Sequence, residues 1–176
     1  MRDKNHMKKT KDTVFFAIML SIAAVLTALE HALPPLPFLP PGISLGLSNI
    51  VVMYCVFFVG STRAAALNIF KALFVLLTRG STAGLLSLCG GLLSVGIIIL
   101  LVILFKTKVS YAAVSVAGAI AHNIGQYAAV SLITAPAYII YYLPILIISG
   151  VAMGLTTGTL LKTVLPVIQK RTPKFL

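Results

Sequence analysis

Six long apolar segments, separated by short breaks rich in proline, glycine or basic residues, constrain this chain more than any other feature. Of its 176 residues, 59% are hydrophobic and only 10% are charged, whereas soluble domains are about 45–50% apolar. The chain therefore has too few polar residues to cover a water-facing surface. We predict an all-α fold: a polytopic membrane protein with a compact bundle of six transmembrane helices. The predicted helices span residues 13–33, 43–60, 62–78, 83–105, 110–134 and 137–162.

Basic residues flank the apolar segments and predict the orientation of the chain. A basic N-terminal segment, residues 1–12, precedes the membrane domain, residues 13–162, and a basic tail, residues 163–176, follows it. If the N-terminus is inside, twelve basic residues lie inside and only Arg79 lies outside. By the positive-inside rule both termini should be cytoplasmic, with the domain in the plasma membrane. The net charge of +11 then points to anionic lipid head groups as partners, and nucleic acid is not expected.

A few polar side chains interrupt the apolar segments, and each is costly to place in lipid. From the helical rise of about 1.5 Å per residue, Asn49, Lys71 and Gln126 should lie about 9–12 Å below the outer ends of their helices. This convergence predicts a ligand pocket in the outer half of the bundle, with Lys71 as the counter-charge for an anionic group. The alternative is that Lys71 pairs with Glu30 or a carbonyl group and only holds the helices together. The candidate substrate-binding residues are Glu30, His31, Asn49, Lys71, His122, Asn123 and Gln126.

Other sequence features bear on packing and access. Gly150, Gly154 and Gly158 recur every four residues, a spacing that predicts close contact between helices. The third segment is short for a full span and is expected to be little tilted or buried in the bundle. The run PPLPFLPPG, residues 34–42, is stiff because proline fixes the backbone, and it is either a lid over the pocket or a plain connector.

The run ALEHALPPLPFLPPGISLGLSNIVVMYCVFFVG, followed by LNIFKALFVLLTRGS and LLSLCGGLLS, resembles the Gx transporter family. That family is also called heptaprenyl diphosphate synthase component I. It looks like the substrate-binding S components of energy-coupling factor (ECF) vitamin transporters. The resemblance implies that Ala24 and Ala28 on the first helix dock a transmembrane coupling subunit, which works with ATPases. It also implies that Asn49 and Lys71 contact the substrate.

The number of acidic residues bears on whether this chain could itself be a catalytic prenyl synthase. Prenyl chain elongation needs aspartate-rich motifs that hold Mg²⁺, but the acidic residues number only three: Asp3, Asp12 and Glu30. The chain also lacks the P-loop pattern GxxxxGK[ST]. We therefore expect no catalytic residues, metal site or cofactor. The main hypothesis is the substrate-binding component of an ECF-like uptake transporter for a small vitamin or cofactor precursor. The alternative is a non-catalytic membrane subunit of an isoprenoid (heptaprenyl diphosphate) synthase or of an electron-transfer system.

Overall fold

The computed structural model of the protein describes residues 2–32, 46–105, 110–134 and 137–171, and within these ranges it is helical and contains no strand. The side chains of residues 2–9, 31, 134, 137–139, 164–165 and 167–171 lie outside this description. A 3₁₀ segment, Ala137–Tyr142, leads into the last helix. The helices are α1 (Arg2–Ala32), α2 (Asn49–Phe58), α3 (Ser61–Arg79), α4 (Ser81–Phe105), α5 (Tyr111–Thr134) and α6 (Leu143–Arg171).

Five stretches of the described chain are long and apolar enough to cross a membrane, which supports a multi-pass protein. The prediction of six full spans is wrong for the second segment, because α2 has ten residues. At about 1.5 Å per residue it rises about 15 Å, roughly half of a bilayer core of about 30 Å. The third segment, predicted to be short, forms a helix of 19 residues. The five stretches are Thr10–Glu30, Ser61–Arg79, Ser81–Phe105, Tyr111–Ile133 and Ile140–Thr163.

The late start of α2 has a cause that the apolar pattern does not reveal. Gly46 has a φ of +84°, in the left-handed region that glycine tolerates best. Its backbone N–H and that of Leu47 donate hydrogen bonds to the Glu30 carboxylate, at 2.6 and 3.0 Å. The chain is thus held in a turn where the prediction placed helix, and α2 begins only at Asn49. The predicted helical residues 43–45 and the segment 34–42 lie outside the described residues.

Close approach at small residues holds the later helices together, as their spacing predicted. A Cβ atom at Gly154 would lie 2.4 Å from the Cα of Val116, and one at Gly158 would lie 2.8 Å from the Cα of Ala112. Both distances are too short for real contacts, so glycine lets the backbones of α5 and α6 touch. Gly125 makes the same approach from α5 to the α4 backbone. As a result α5 lies between α4 and α6.

One ion pair shows which helix ends lie at the same end of the bundle. The Arg63 guanidinium at the start of α3 donates to the Asp12 carboxylate of α1 at 2.8 Å, with both side chains partly exposed. The basic start of α1 and the α2–α3 turn therefore lie at one end of the bundle. Arg79, at the other end of α3, marks the opposite end. Large apolar side chains such as Leu77 and Leu132, 84% and 86% exposed, cover the outer surface, as expected for contact with lipid.

Candidate functional site

Lys71 is the central residue of the candidate site. It lies near the middle of α3 and is only 2% exposed. Its ammonium group donates a hydrogen bond to Oδ1 of Asn49, the first residue of α2, at 2.8 Å. The structure thus brings together the two residues that the sequence placed at a common depth. Because α2 starts at Asn49, however, the amide lies at a helix terminus and not inside a span.

Glu30 lies next to this pair and stabilises the turn that precedes α2. Its carboxylate accepts the two backbone hydrogen bonds that fix the Gly46–Leu47 turn, and the residue is 8% exposed. It is also close enough to interact electrostatically with the ammonium of Lys71. The opposite charges therefore share one buried region. The side chain of His31, another candidate, lies outside the described residues.

The three polar candidates on α5 divide between two faces. His122 and Gln126, each 1% exposed, contact α4 at Gly90, where an added Cβ would lie 2.7 Å from Cγ of Gln126 and 3.0 Å from Cε1 of His122. Asn123 faces α6 instead, and its side-chain nitrogen donates to the Leu146 carbonyl at 2.7 Å and to Ser149 Oγ at 3.1 Å. His122 and Gln126 thus join the polar region between α4 and α5. The described contacts of Asn123 connect α5 to α6.

A further member of the group, Asn68, was not among the sequence candidates. It precedes Lys71 by three residues, so the two share a face of α3. It is completely buried, and neither atom of its side-chain amide forms a hydrogen bond within the described chain. Its spacing from Lys71 was the available signal, but a single asparagine three residues from a lysine is a weak one. We define the polar centre as Glu30, Asn49, Asn68, Lys71, His122 and Gln126.

A small gap lies beside the polar centre within the part of the chain that the structure describes. A gap next to Gly46 and Asn49 extends between α4, α5 and α6 and has room for about one water molecule. The hydroxyl groups of Ser94, Ser115 and Thr157 line it, and the last two are hydrogen-bonded to each other. The prediction of a ligand pocket open to the outside therefore does not match this gap. The segment predicted as lid or connector, residues 34–42, lies outside the described residues.

The predicted docking pair on α1 lies apart from the polar centre. Ala28 is exposed and Ala24 is partly buried, whereas the neighbouring Ala23 and Thr27 are turned into the bundle. Leu29 and Val25, both 57% exposed, flank the pair. This face of α1 is thus available to lipid or to another protein.

Comparison with known proteins places the chain in a family. The model of the family described as heptaprenyl diphosphate synthase component I matches residues 19–164, so the chain belongs to that family. No curated protein and no solved structure matches the chain. The family match covers α2 to α5 completely, α1 from Met19 onward and most of α6, and so includes every residue of the polar centre.

Proposed function

From the buried lysine, we propose that the protein is a non-catalytic membrane component that binds a small molecule with an anionic group. Its ligand is held at the polar centre, and the chain serves as the substrate-binding component of a small-molecule uptake system. The observation that carries the proposal is Lys71: an ammonium group, 2% exposed, near the middle of a membrane-spanning helix and hydrogen-bonded to Asn49.

The cost of this lysine supports a functional role. Placing a lysine at the centre of a membrane helix costs about 2.5–3.5 kcal/mol on insertion scales, and such residues commonly mark substrate or ion pathways. Asn49 is neutral and accepts one of three ammonium N–H groups. The Glu30 carboxylate accepts two backbone hydrogen bonds and also interacts electrostatically with the ammonium group. An anionic ligand would add the strong, charge-assisted acceptor that this arrangement favours.

Uptake through this protein requires a change of conformation and partners. The gap beside Asn49 has room for about one water molecule, so a substrate that enters there needs α4, α5 and α6 to separate. The chain has no P-loop of its own, so ATP-driven movement would come from ATPases acting through a transmembrane coupling subunit. We propose that this subunit contacts α1 at Ala24 and Ala28, and that both termini face the cytoplasm in the plasma membrane.

The family description favours a second candidate function. A protein of that family would act as a membrane subunit beside a catalytic heptaprenyl diphosphate synthase subunit. In this setting the ligand at Lys71 would be the diphosphate of an isoprenoid, and catalysis would belong to the partner. The reason for assigning catalysis elsewhere is chemical, because the chain has three acidic residues and no aspartate-rich motif for Mg²⁺.

Two measurements test these proposals together. The first is purification of the tagged protein from its own membranes in mild detergent, with identification of its stoichiometric companions by mass spectrometry. ATPase and coupling subunits support uptake, whereas a prenyl synthase subunit supports the second candidate and contradicts the first. The second is titration of wild type and Lys71→Met with benzoate and geranyl diphosphate, followed by thermal stability. Stabilisation that disappears in Lys71→Met is expected, and identical titrations of the two proteins would refute an anion site at Lys71.

A further inference from the structure

Asn68 is the least satisfied polar residue of the described chain. It is fully buried, and both its side-chain oxygen and nitrogen lack a hydrogen-bond partner there. Its amide lies directly on α4, since a Cβ at Gly91 would be 1.8 Å from Oδ1 and 2.5 Å from Nδ2. A buried amide without partners is unfavourable, and native proteins nearly always supply a partner, a water or a ligand.

His122 repeats this situation on the neighbouring helix. It is 1% exposed, its imidazole interacts with the backbone of Gly90, and neither ring nitrogen forms a hydrogen bond of good geometry within the described residues. Its ring lies against Gly90, the neighbour of Gly91. Asn68 of α3 and His122 of α5 therefore contact consecutive glycines of α4. Because glycines have no side chain, the α4 backbone itself covers both polar side chains in this conformation.

We propose that Asn68 and His122 are ligand-contacting residues, exposed when α4 moves away at Gly90–Gly91, and that the ligand carries a ureide- or amide-like face beside its anionic group. This inference rests on the proposed anion site at Lys71 and adds the chemical class of the ligand. Lys71 is on the same face of α3 as Asn68 and is close enough to His122 to interact with it electrostatically. One small molecule thus contacts all three side chains.

The two residues also limit the kind of ligand. The Asn68 amide offers one acceptor and two donors, and a neutral imidazole offers one of each. A partner that satisfies them must both donate and accept hydrogen bonds, as an N–H beside a C=O does in a ureide or lactam. The isoprenoid tail of a prenyl diphosphate has neither group. The inferred ligand is therefore a compact anion with a ureide- or amide-containing ring, which agrees better with uptake than with isoprenoid synthesis.

A matched pair of probes tests the inference on the full chain in lipid nanodiscs. Orotate has a carboxylate and a ureide on one ring, whereas benzoate has only the carboxylate. We expect orotate to bind wild type at least tenfold more tightly than benzoate, because each unmet buried polar group is worth about one factor of ten or more. Asn68→Leu and His122→Phe should each remove this preference, measured as the ratio of the orotate and benzoate dissociation constants. Ile69→Leu, an exposed position of α3, is the control.

The outcomes separate this inference from the proposed function. Asn68→Leu should also raise the unfolding temperature of the ligand-free protein, since it removes a buried amide without partners. The inference is overturned if wild type binds orotate and benzoate equally. It is also overturned if the preference for orotate survives in both variants. If both acids bind equally and binding is lost in Lys71→Met, the anion site remains and only the ligand class is wrong. If neither acid binds wild type the inference also fails, while geranyl diphosphate bound through Lys71 would still support the anion site.

Discussion

The Glu30 carboxylate offers the sharpest energetic prediction, because α1 carries a second carboxylate, Asp12, in a contrasting environment. Glu30 is 8% exposed and accepts two backbone hydrogen bonds at 2.6 and 3.0 Å. Asp12 pairs with Arg63 at a partly exposed position. Hydrogen bonds to a charged group contribute about 1.5–3 kcal/mol each, whereas exposed ion pairs contribute about 0–1 kcal/mol.

Glu30→Gln keeps one acceptor oxygen but removes the charge and leaves at least one backbone N–H without its partner. We expect a loss of about 3 kcal/mol in the free energy of unfolding, roughly a 150-fold change in the folding equilibrium. Asp12→Asn should lose less than about 1 kcal/mol. The two substitutions alter the same chemical group on the same helix, so their difference isolates the effect of burial and of the Gly46 turn.

Cys55 supplies the assay, because it is completely buried on α2, the helix that follows the turn. In a Cys89→Ala background a thiol-reactive fluorophore reports the exposure of Cys55 alone during chemical unfolding in detergent. The reasoning predicts a clear loss of stability for Glu30→Gln and a small one for Asp12→Asn. Equal losses for the two variants would show that Glu30 does not hold the start of α2.

Three further predictions concern packing and orientation. Gly91→Ala should destabilise the protein because its Cβ would lie 1.8 Å from Asn68 Oδ1. In the double mutant, Asn68→Ala should relieve much of that loss of stability. Strictly additive losses would contradict the contact between the two residues. Gly154→Ala should push α5 away from α6 and lower the unfolding temperature in thermal melts. Gly96→Ala, whose Cβ would meet nothing within 4 Å, should be neutral or slightly stabilising in the same assay. Similar effects at both positions would refute the packing. In a background without Cys55 and Cys89, a membrane-impermeant thiol reagent added outside intact cells should label Arg79→Cys but not Arg63→Cys, and the reverse pattern would invert the proposed orientation.

The lengths of the apolar segments predicted the helix bounds well where residues at the ends of a segment stop the helix. The bounds of α3 and α5 agree with prediction to within one residue, because glycines, basic residues and a proline mark their ends. The start of α2 was missed because a contact between Glu30 and Gly46, sixteen residues apart, decides it. The hydrophobic pattern of the sequence carries no information on such a contact. The apolar run continues through the turn, and the whole run was therefore predicted to be helical.

The candidate site shows the same division between local and distant causes. Lys71 and Asn49 could be predicted because polar residues in apolar helices are rare, and their common depth follows from the helical rise. The place of Asn68 in the polar centre could not be predicted from the sequence, because its burial depends on the approach of Gly91 from another helix. Likewise, which face of α5 carries Asn123 is decided by the Leu146 carbonyl and Ser149 of α6.

Native mass spectrometry of the protein released directly from its own membranes tests most directly whether the buried ammonium of Lys71 binds a ligand. Wild type should carry a small anionic molecule as an added mass, and Lys71→Met, folded to the same extent by the Cys55 assay, should be free of it. If the two proteins carry the same added masses, or if wild type carries none across gentle release conditions, the lysine is a structural residue and the account fails at its centre.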